Sequence, residues 1–128
     1  MNNAEIKSIL EDASSVAVIG VSSNPEGASH QVAAYLIEQT HLDVYLINPT
    51  VNGEILGQPV YKSVADLPVV PDIIDVFRKG EDMPSVFETE FPAIADSAAG
   101  KTWWMQLGIV NDEVAKLASD AGMKVVMD

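Results

Sequence analysis

An apolar run, Val16-Ala17-Val18-Ile19, leads straight into Gly20-Val21-Ser22-Ser23-Asn24-Pro25, and no other segment constrains the fold as much. A strand that enters a tight turn and then a helix builds a seat for an anion, because free backbone N–H groups and the positive end of the helix dipole meet there. The turn stands where a Gly-x-Gly-x-x-Gly pattern would, yet it keeps only the first glycine. That alteration points to a nucleotide-like ligand held differently from NAD. The competing reading is an ordinary strand-to-helix turn in which Ser29 only caps the helix.

Similar alternations run the length of the chain. Ile6, Ile9, Leu10 and Ala13 are spaced for a short opening helix, and Ser15 to Ile19 reads as a buried strand. Ser29 opens a second helix with Val32, Tyr35, Leu36 and Gln39 on one face. Asp43 to Asn48 is a strand stopped by Pro49, which has no N–H for a ladder. After turns at Asn52-Gly53 and Leu56-Gly57, Val60-Tyr61 reads as a short edge strand, followed by a brief helix through Val64 to Leu67. Asp72 to Phe77 is the next strand. Pro84 suits the first turn of a helix bearing Phe87 and Phe91, which Pro92 must break into two pieces. Thr102 to Leu107 places Trp103 and Trp104 on opposite faces of a strand. Asn111 caps a helix with Asp112 and Glu113 in its first turn, a stripe of Val114, Leu117, Ala118 and Ala121, and Gly122 at its end; Lys124 to Met127 closes the chain as a strand.

The order of elements predicts an α/β chain, a single Rossmann-like domain over residues 1–128. Its doubly wound parallel sheet should have five to six strands with helices on both faces, the Val16 strand in the centre, and the Val60 and C-terminal strands at the edges. Ligands of such sheets lie beyond the carboxyl ends of the strands. The loops there are Gly20–Ser29, Asn48–Thr50, Phe77–Arg78 and Gln106–Gly108.

Composition narrows the function classes. The chain has 128 residues, 48% of them hydrophobic, which suits one domain burying roughly two-thirds of its unfolded surface. Nineteen acids against seven Lys and Arg give a net charge of −12. Nucleic acid and anionic membranes are poor partners for such a chain, since both are bound through basic patches. A small anionic ligand remains admissible if donors are dense locally, because distant charges are screened beyond about 8–10 Å. No apolar stretch approaches the roughly 18 residues of a membrane span and Met1-Asn2-Asn3 begins no signal peptide, so the cytoplasm is the expected compartment. Without cysteine there is no thiol nucleophile or thiolate metal site.

A conventional NAD site is opposed by Ser22 at the second glycine position and by Asn48-Pro49 where an acid would grip the ribose. Two isolated histidines, His30 and His41, lack metal-ligand spacing, and the serines near Gly20 have no histidine at a triad offset. Arg78, the sole arginine, reads either as a phosphate contact or as a surface partner of Asp75 or Glu81. Trp103 and Trp104 read mainly as core, and Glu88, Glu90 and Asp96 as a solvated helix face.

Several segments together carry a family resemblance. Gly20-x-Ser22-x-x-Pro25, Ser29-His30-x-Val32, Asn48-Pro49 and Ile55-Leu56-Gly57 are followed by Asp72-Ile73-Ile74-Asp75-Val76-Phe77-Arg78, Trp104-Met105-Gln106-Leu107-Gly108 and Val125-Val126-Met127-Asp128. Over about residues 5–128 the chain resembles the small stand-alone CoA-binding proteins of bacteria and archaea. Their domain is similar to the CoA-binding domain of the succinyl-CoA synthetase alpha subunit. The resemblance implies a non-catalytic domain that binds coenzyme A or an acyl-CoA. It places Gly20, Ser22, Ser23, Asn24, Pro25 and Ser29 at the adenine-diphosphate end, and Asn48 and Pro49 beside the adenosine. Phe77 and Arg78 would lie against the nucleotide or pantetheine, and Gln106, Leu107 and Gly108 at the pocket mouth. The chain departs from that pattern at Gly27, Gln31 and Thr50, where the family usually carries basic residues. A partner protein, as in an acyl-CoA ligase, or a degenerate domain serving as an interaction module, are the alternatives.

Overall fold

Strands buried on both faces have no polar side to show to water, and Val16 to Ile19 and Ile73 to Val76 hold a single charged residue between them. In the computed structural model, which describes residues 2–106 and 108–127, both segments are buried throughout. They form β1 (Ser15–Ile19) and β5 (Ile73–Val76), between β2 (Asp43–Ile47) on one side and β6 (Thr102–Met105) on the other. With β3 (Glu54–Ile55), β4 (Gln58–Tyr61) and β7 (Lys124–Val126) they make a seven-stranded sheet ordered β3-β4-β2-β1-β5-β6-β7. All neighbours are parallel except β3 and β4. The chain leaves β1 for β2 and β4, then crosses back to β5, so the strand order reverses between β1 and β5.

The sheet carries one strand more than the expected five to six, and the Val60 strand is not the edge. Leu56 and Gly57, with φ of 56° and 74°, make the tight turn that matches the twist of a hairpin and folds Glu54–Ile55 back along β4. That two-residue strand is the edge. β1 keeps its expected bounds, while β2, β5, β6 and β7 end a residue or two short of expectation. Asn48 turns its side chain onto the Thr50 N–H at 3.0 Å, which closes β2 at Ile47, and β6 stops at Met105. Leu107 lies outside the described residues.

Side-chain alternation sorts the core into two layers. Val16, Val18 and Ile73 face α1 (Asn3–Asp12) and α2 (Ala28–Gln39) with Ile9, Ala33 and Leu36. Ala17, Ile19, Ile74, Val76, Trp103 and Met105 face α3 (Met83–Glu90) and α4 (Asp112–Asp120) with Met83, Phe87, Val114 and Ala118. Trp103 is fully buried, with its ring 4.9 Å from that of Phe87 in an edge-on arrangement, while Trp104 sits half-buried on the α1–α2 side. The two tryptophans do lie on opposite faces. Leu117, placed in the buried stripe of α4 by its spacing, is 47% exposed.

Capping follows expectation at α4, departs from it at α2, and at α1 falls to a residue that the spacing did not mark. Asn2 accepts from Glu5 N at 2.8 Å to start α1, and Asn111 accepts from Val114 N at 2.9 Å to start α4. At α2 the cap position is Gly27, which supplies no side chain, and Ser29 lies inside the first turn. After Glu90 the chain tightens into two 3₁₀ turns, Phe91–Ala93 and Ala95–Ser97, because Pro92 has no N–H to continue an α-helix.

Glu90 does not belong to a solvated face. Its carboxylate is buried and accepts from Ser63 Oγ at 2.8 Å and Val64 N at 3.0 Å, tying α3 to the 3₁₀ turn after β4. Spacing alone sets it beside exposed Glu88; the donors arrive from 27 residues away. Glu90→Ala strands two buried donors and is expected to cost about 3 kcal/mol in urea unfolding, whereas Glu88→Ala should fall within about 0.5 kcal/mol of the parent chain.

Candidate functional site

The four loops named from the sequence leave neighbouring strands, and the first residue of each continues the backbone hydrogen bonding to the adjacent strand. Gly20 N donates to Ile47 O and Phe77 N to Ile19 O, each at 2.9 Å, and Asn48 N donates to Tyr61 O at 2.9 Å. Gln106 N donates to Val76 O at 3.4 Å. Gly20 has φ of +85°, and a Cβ there would stand 2.5 Å from Phe77 O and 3.3 Å from Arg78 Cδ. Only glycine fits, for conformation and for space alike. This is the physical reason the first glycine survives while the others are replaced.

The loop from Ser22 to Gly27 uses most of its polar groups to hold its own shape. Ser22 N donates to Ser29 Oγ at 2.8 Å, so the serine expected to cap α2 instead braces the loop in front of it. Asn24 N donates to Ser22 Oγ, and Glu26 N to Asn24 Oδ1, both at 3.0 Å. Gly27 N donates to Asn24 O at 2.9 Å. His30 Nδ1 lies 2.9 Å from Ser22 O, which fixes the ring proton on that nitrogen. With Gly27 supplying no cap, the donors left to a ligand are the first-turn N–H groups of α2 at Ala28, Ser29 and His30, lying ahead of the first intrahelical bond from Gln31 N. Ser23, Asn24 and Pro25 are exposed around that opening.

Asn48 positions the next loop. Its Nδ2 donates to Val21 O at 2.9 Å, and its Oδ1 accepts from Thr50 N at 3.0 Å and Thr50 Oγ1 at 2.8 Å. Beside the exposed Pro49 stands a cation that sequence reading missed. Lys62, the first residue after β4, reaches Pro49 O at 3.2 Å, Val51 O at 2.9 Å and Asn52 Oδ1 at 2.8 Å with its Nζ. The signal was available, since Lys62 follows a predicted strand at the ligand-facing edge of the sheet. Phe77 packs half-buried against the α1–α2 layer, and Arg78 stands exposed beside the Gly20 turn. The ion-pair partner of Arg78 is Asp82, at 3.7 Å, rather than Asp75 or Glu81. The pair is loose and about two-fifths exposed, so it restrains the guanidinium weakly. Gly108 is exposed at the end of the β6 loop.

Asp75 is buried within β5, where its carboxylate accepts from Gln106 Nε2. Burial pushes its carboxyl up from 3.8 to about 7, against the opposing effect of that hydrogen bond. Its signal in the sequence is an acid inside a strand that is otherwise wholly apolar. Together the pair fastens the Gln106 loop to the sheet interior. Among the described residues no group of three or more His, Cys, Asp or Glu is arranged to hold a metal ion, and no helix is long and apolar enough to cross a membrane.

The folded chain holds the Asp75 proton up to about pH 7, whereas an unfolded aspartate loses it near 3.8. Between those values the folded state binds more protons, so this group makes stability fall as pH rises from about 4 to 7. Asp75→Asn keeps an acceptor for Gln106 and removes the titration. Thermal melts at pH 5 and pH 8 should show the variant several degrees more stable than the parent at pH 8, and much less so at pH 5.

The family model described as "CoA binding domain" matches residues 14–128. A Bacillus subtilis (strain 168) relative, "Uncharacterized protein YneT", is 32% identical over 131 residues, taking in 99% of this chain and 89% of its own. A solved structure from Thermus thermophilus shares 33% identity with a TM-score of 0.85, covering 98% of this chain and 90% of that one. A hypothetical protein from Pyrococcus horikoshii OT3 shares 32% identity, again with a TM-score of 0.85, over 98% of this chain and 84% of its own. Sequence and fold therefore agree from the first helix to the last strand, and the chain belongs to the CoA binding domain family.

Proposed function

We propose that this protein binds coenzyme A or an acyl-CoA at the carboxyl edge of its sheet and does not transform it. One observation carries the reading: in a member of this family, the N-terminus of α2, which follows the turn at the carboxyl end of β1, is left without a side-chain cap. Three consecutive N–H groups and the helix dipole there suit a phosphate. The residues fit a nucleotide of this kind in other respects too. At Gly20 the turn closes tightly against Phe77, where a Cβ would stand 2.5 Å from the carbonyl oxygen, and Gly27 puts no side chain at the start of α2.

The cations stand at the rim. Arg78 can turn from Asp82 toward an anion at little loss, because a loose exposed pair contributes only about 0–1 kcal/mol. Lys62 places a positive charge beside Asn48-Pro49, where Thr50 replaces the family's usual lysine, although its three donors are held by Pro49 O, Val51 O and Asn52 Oδ1. The polar groups of Asn48, Ser22 and Ser29 hold the loops in position. That division of labour supports binding without turnover, since the His30 ring, Ser22 Oγ and Ser29 Oγ are already engaged in structural hydrogen bonds.

Titration calorimetry with CoA, acetyl-CoA, ADP and NAD tests the reading. CoA and acetyl-CoA should bind, NAD should bind far more weakly, and acetyl-CoA should be recovered intact after prolonged incubation. Arg78→Ala should weaken CoA about tenfold through the lost charge-assisted bond. Gly27→Arg should tighten it several-fold, because φ of −70° accepts a side chain there and its neighbours need give only a few tenths of an ångström. An absence of heat with CoA, or an unchanged affinity in Arg78→Ala, would overturn the site as drawn.

A further inference from the structure

Below the carboxyl edge, on the α1–α2 side of the sheet, lies a cleft of about 190 Å³ that CoA recognition alone does not require. Leu10 of α1, Val32 and Leu36 of α2, Ile73 of β5 and Trp104 of β6 give it an apolar lining. Asp75 and Gln106 are the polar groups in its wall. Gln106 also stands in the loop that borders the proposed CoA site, so cleft and edge share a residue. Val32 follows Ser29 by three residues, about 4.5 Å along the helix from the N–H groups assigned to phosphate.

We infer that this cleft receives the acyl chain of a short- to medium-chain acyl-CoA, an inference that rests on the CoA site proposed above. Its volume holds about six non-hydrogen atoms at roughly 30 Å³ each, enough for the alkyl tail of a hexanoyl group with its carbonyl at the mouth. A larger groove of about 550 Å³ between α1 and α2 shares Leu10, Tyr35, Leu36 and Leu42 with the cleft. A chain longer than six carbons would therefore run outward into a groove open to water. Chains ending in a carboxylate are excluded, because the cleft sets an apolar lining and an acid around them with no cation to pair.

Calorimetry with CoA, hexanoyl-CoA, adipoyl-CoA and palmitoyl-CoA provides the first arm of the test. Hexanoyl-CoA should bind at least about tenfold more tightly than CoA, and adipoyl-CoA should show no gain. Leu10→Phe, which fills the cleft from α1, should abolish the hexanoyl gain. The second arm uses hexanoyl-pantetheine, which has no nucleotide, and reads tryptophan emission. Trp104 lines the cleft and Trp103 lies on the opposite face, so a shift that disappears in Trp104→Phe reports occupancy. CoA binding with no hexanoyl preference and no emission change overturns the cleft and leaves the CoA site standing. An emission change without CoA binding overturns the CoA site and leaves the cleft. Silence in both arms overturns both.

Discussion

The backbone contact between Gly20 and Phe77 sets the geometry of everything at the ligand-facing edge. At that point β1 must turn away from the sheet while β5 continues one residue further beside it, and the Phe77 carbonyl fills the space a side chain would need. Because β1 and β5 flank the reversal in strand order, their loops diverge and leave an opening between them. α2 starts over that opening, and the Ser22–Ser29 hydrogen bond fixes where its first turn lies. A wider turn at Gly20 would move the helix start, the arginine and the Asn48 loop together, since each is fastened to this turn or to its neighbour.

Much of this was legible in the sequence because the determining interactions are local or periodic. Apolar runs marked β1 and β5, the second interrupted only by Asp75; Asn111 with its acidic first turn marked α4, and Pro92 marked the break after α3. The four edge loops followed from strand order, which chain handedness restricts strongly. What escaped was set by partners distant in sequence or lay in a segment too short for a pattern. The Leu56-Gly57 turn was legible, but Glu54–Ile55 before it is only two residues long, too short for a periodic pattern to mark β3. Glu90 carries the same spacing as a surface acid, and only the arrival of Ser63 and Val64 makes its burial tolerable. Ser29 had the chemistry of a cap but the position of a brace, a distinction of two residues that propensity does not resolve.

The charge distribution reconciles an acidic chain with an anionic ligand. Of seven basic residues, Lys62, Arg78 and Lys79 all fall within three residues of the carboxyl end of a strand, although the net charge is −12. Screening confines what counts to charges within about 8–10 Å. Acids stand at this edge as well as cations: Asp82 pairs with Arg78 at 3.7 Å, and Asn111, just ahead of Asp112 and Glu113, donates to Gly80 O at 2.8 Å. With Gly27 in the loop and Gln31 in α2, the site proposed above relies on helix N–H groups and on the residues that follow β4 and β5.

Asp75 gives this arrangement a second function. A buried acid in a parallel strand is unfavourable unless something compensates, and the compensation here is one side chain, Gln106, from the loop after the next strand. That bond ties the outermost edge loop to the sheet interior, just where the apolar cleft begins. The same glutamine then borders the surface offered to the nucleotide and the wall offered to the chain beyond it. Anything that displaces Gln106 from Asp75 leaves a carboxyl in an apolar wall without its donor. The edge loop and the cleft consequently cannot be rearranged independently, and this coupling makes one continuous site a simpler account of the face than two separate ones.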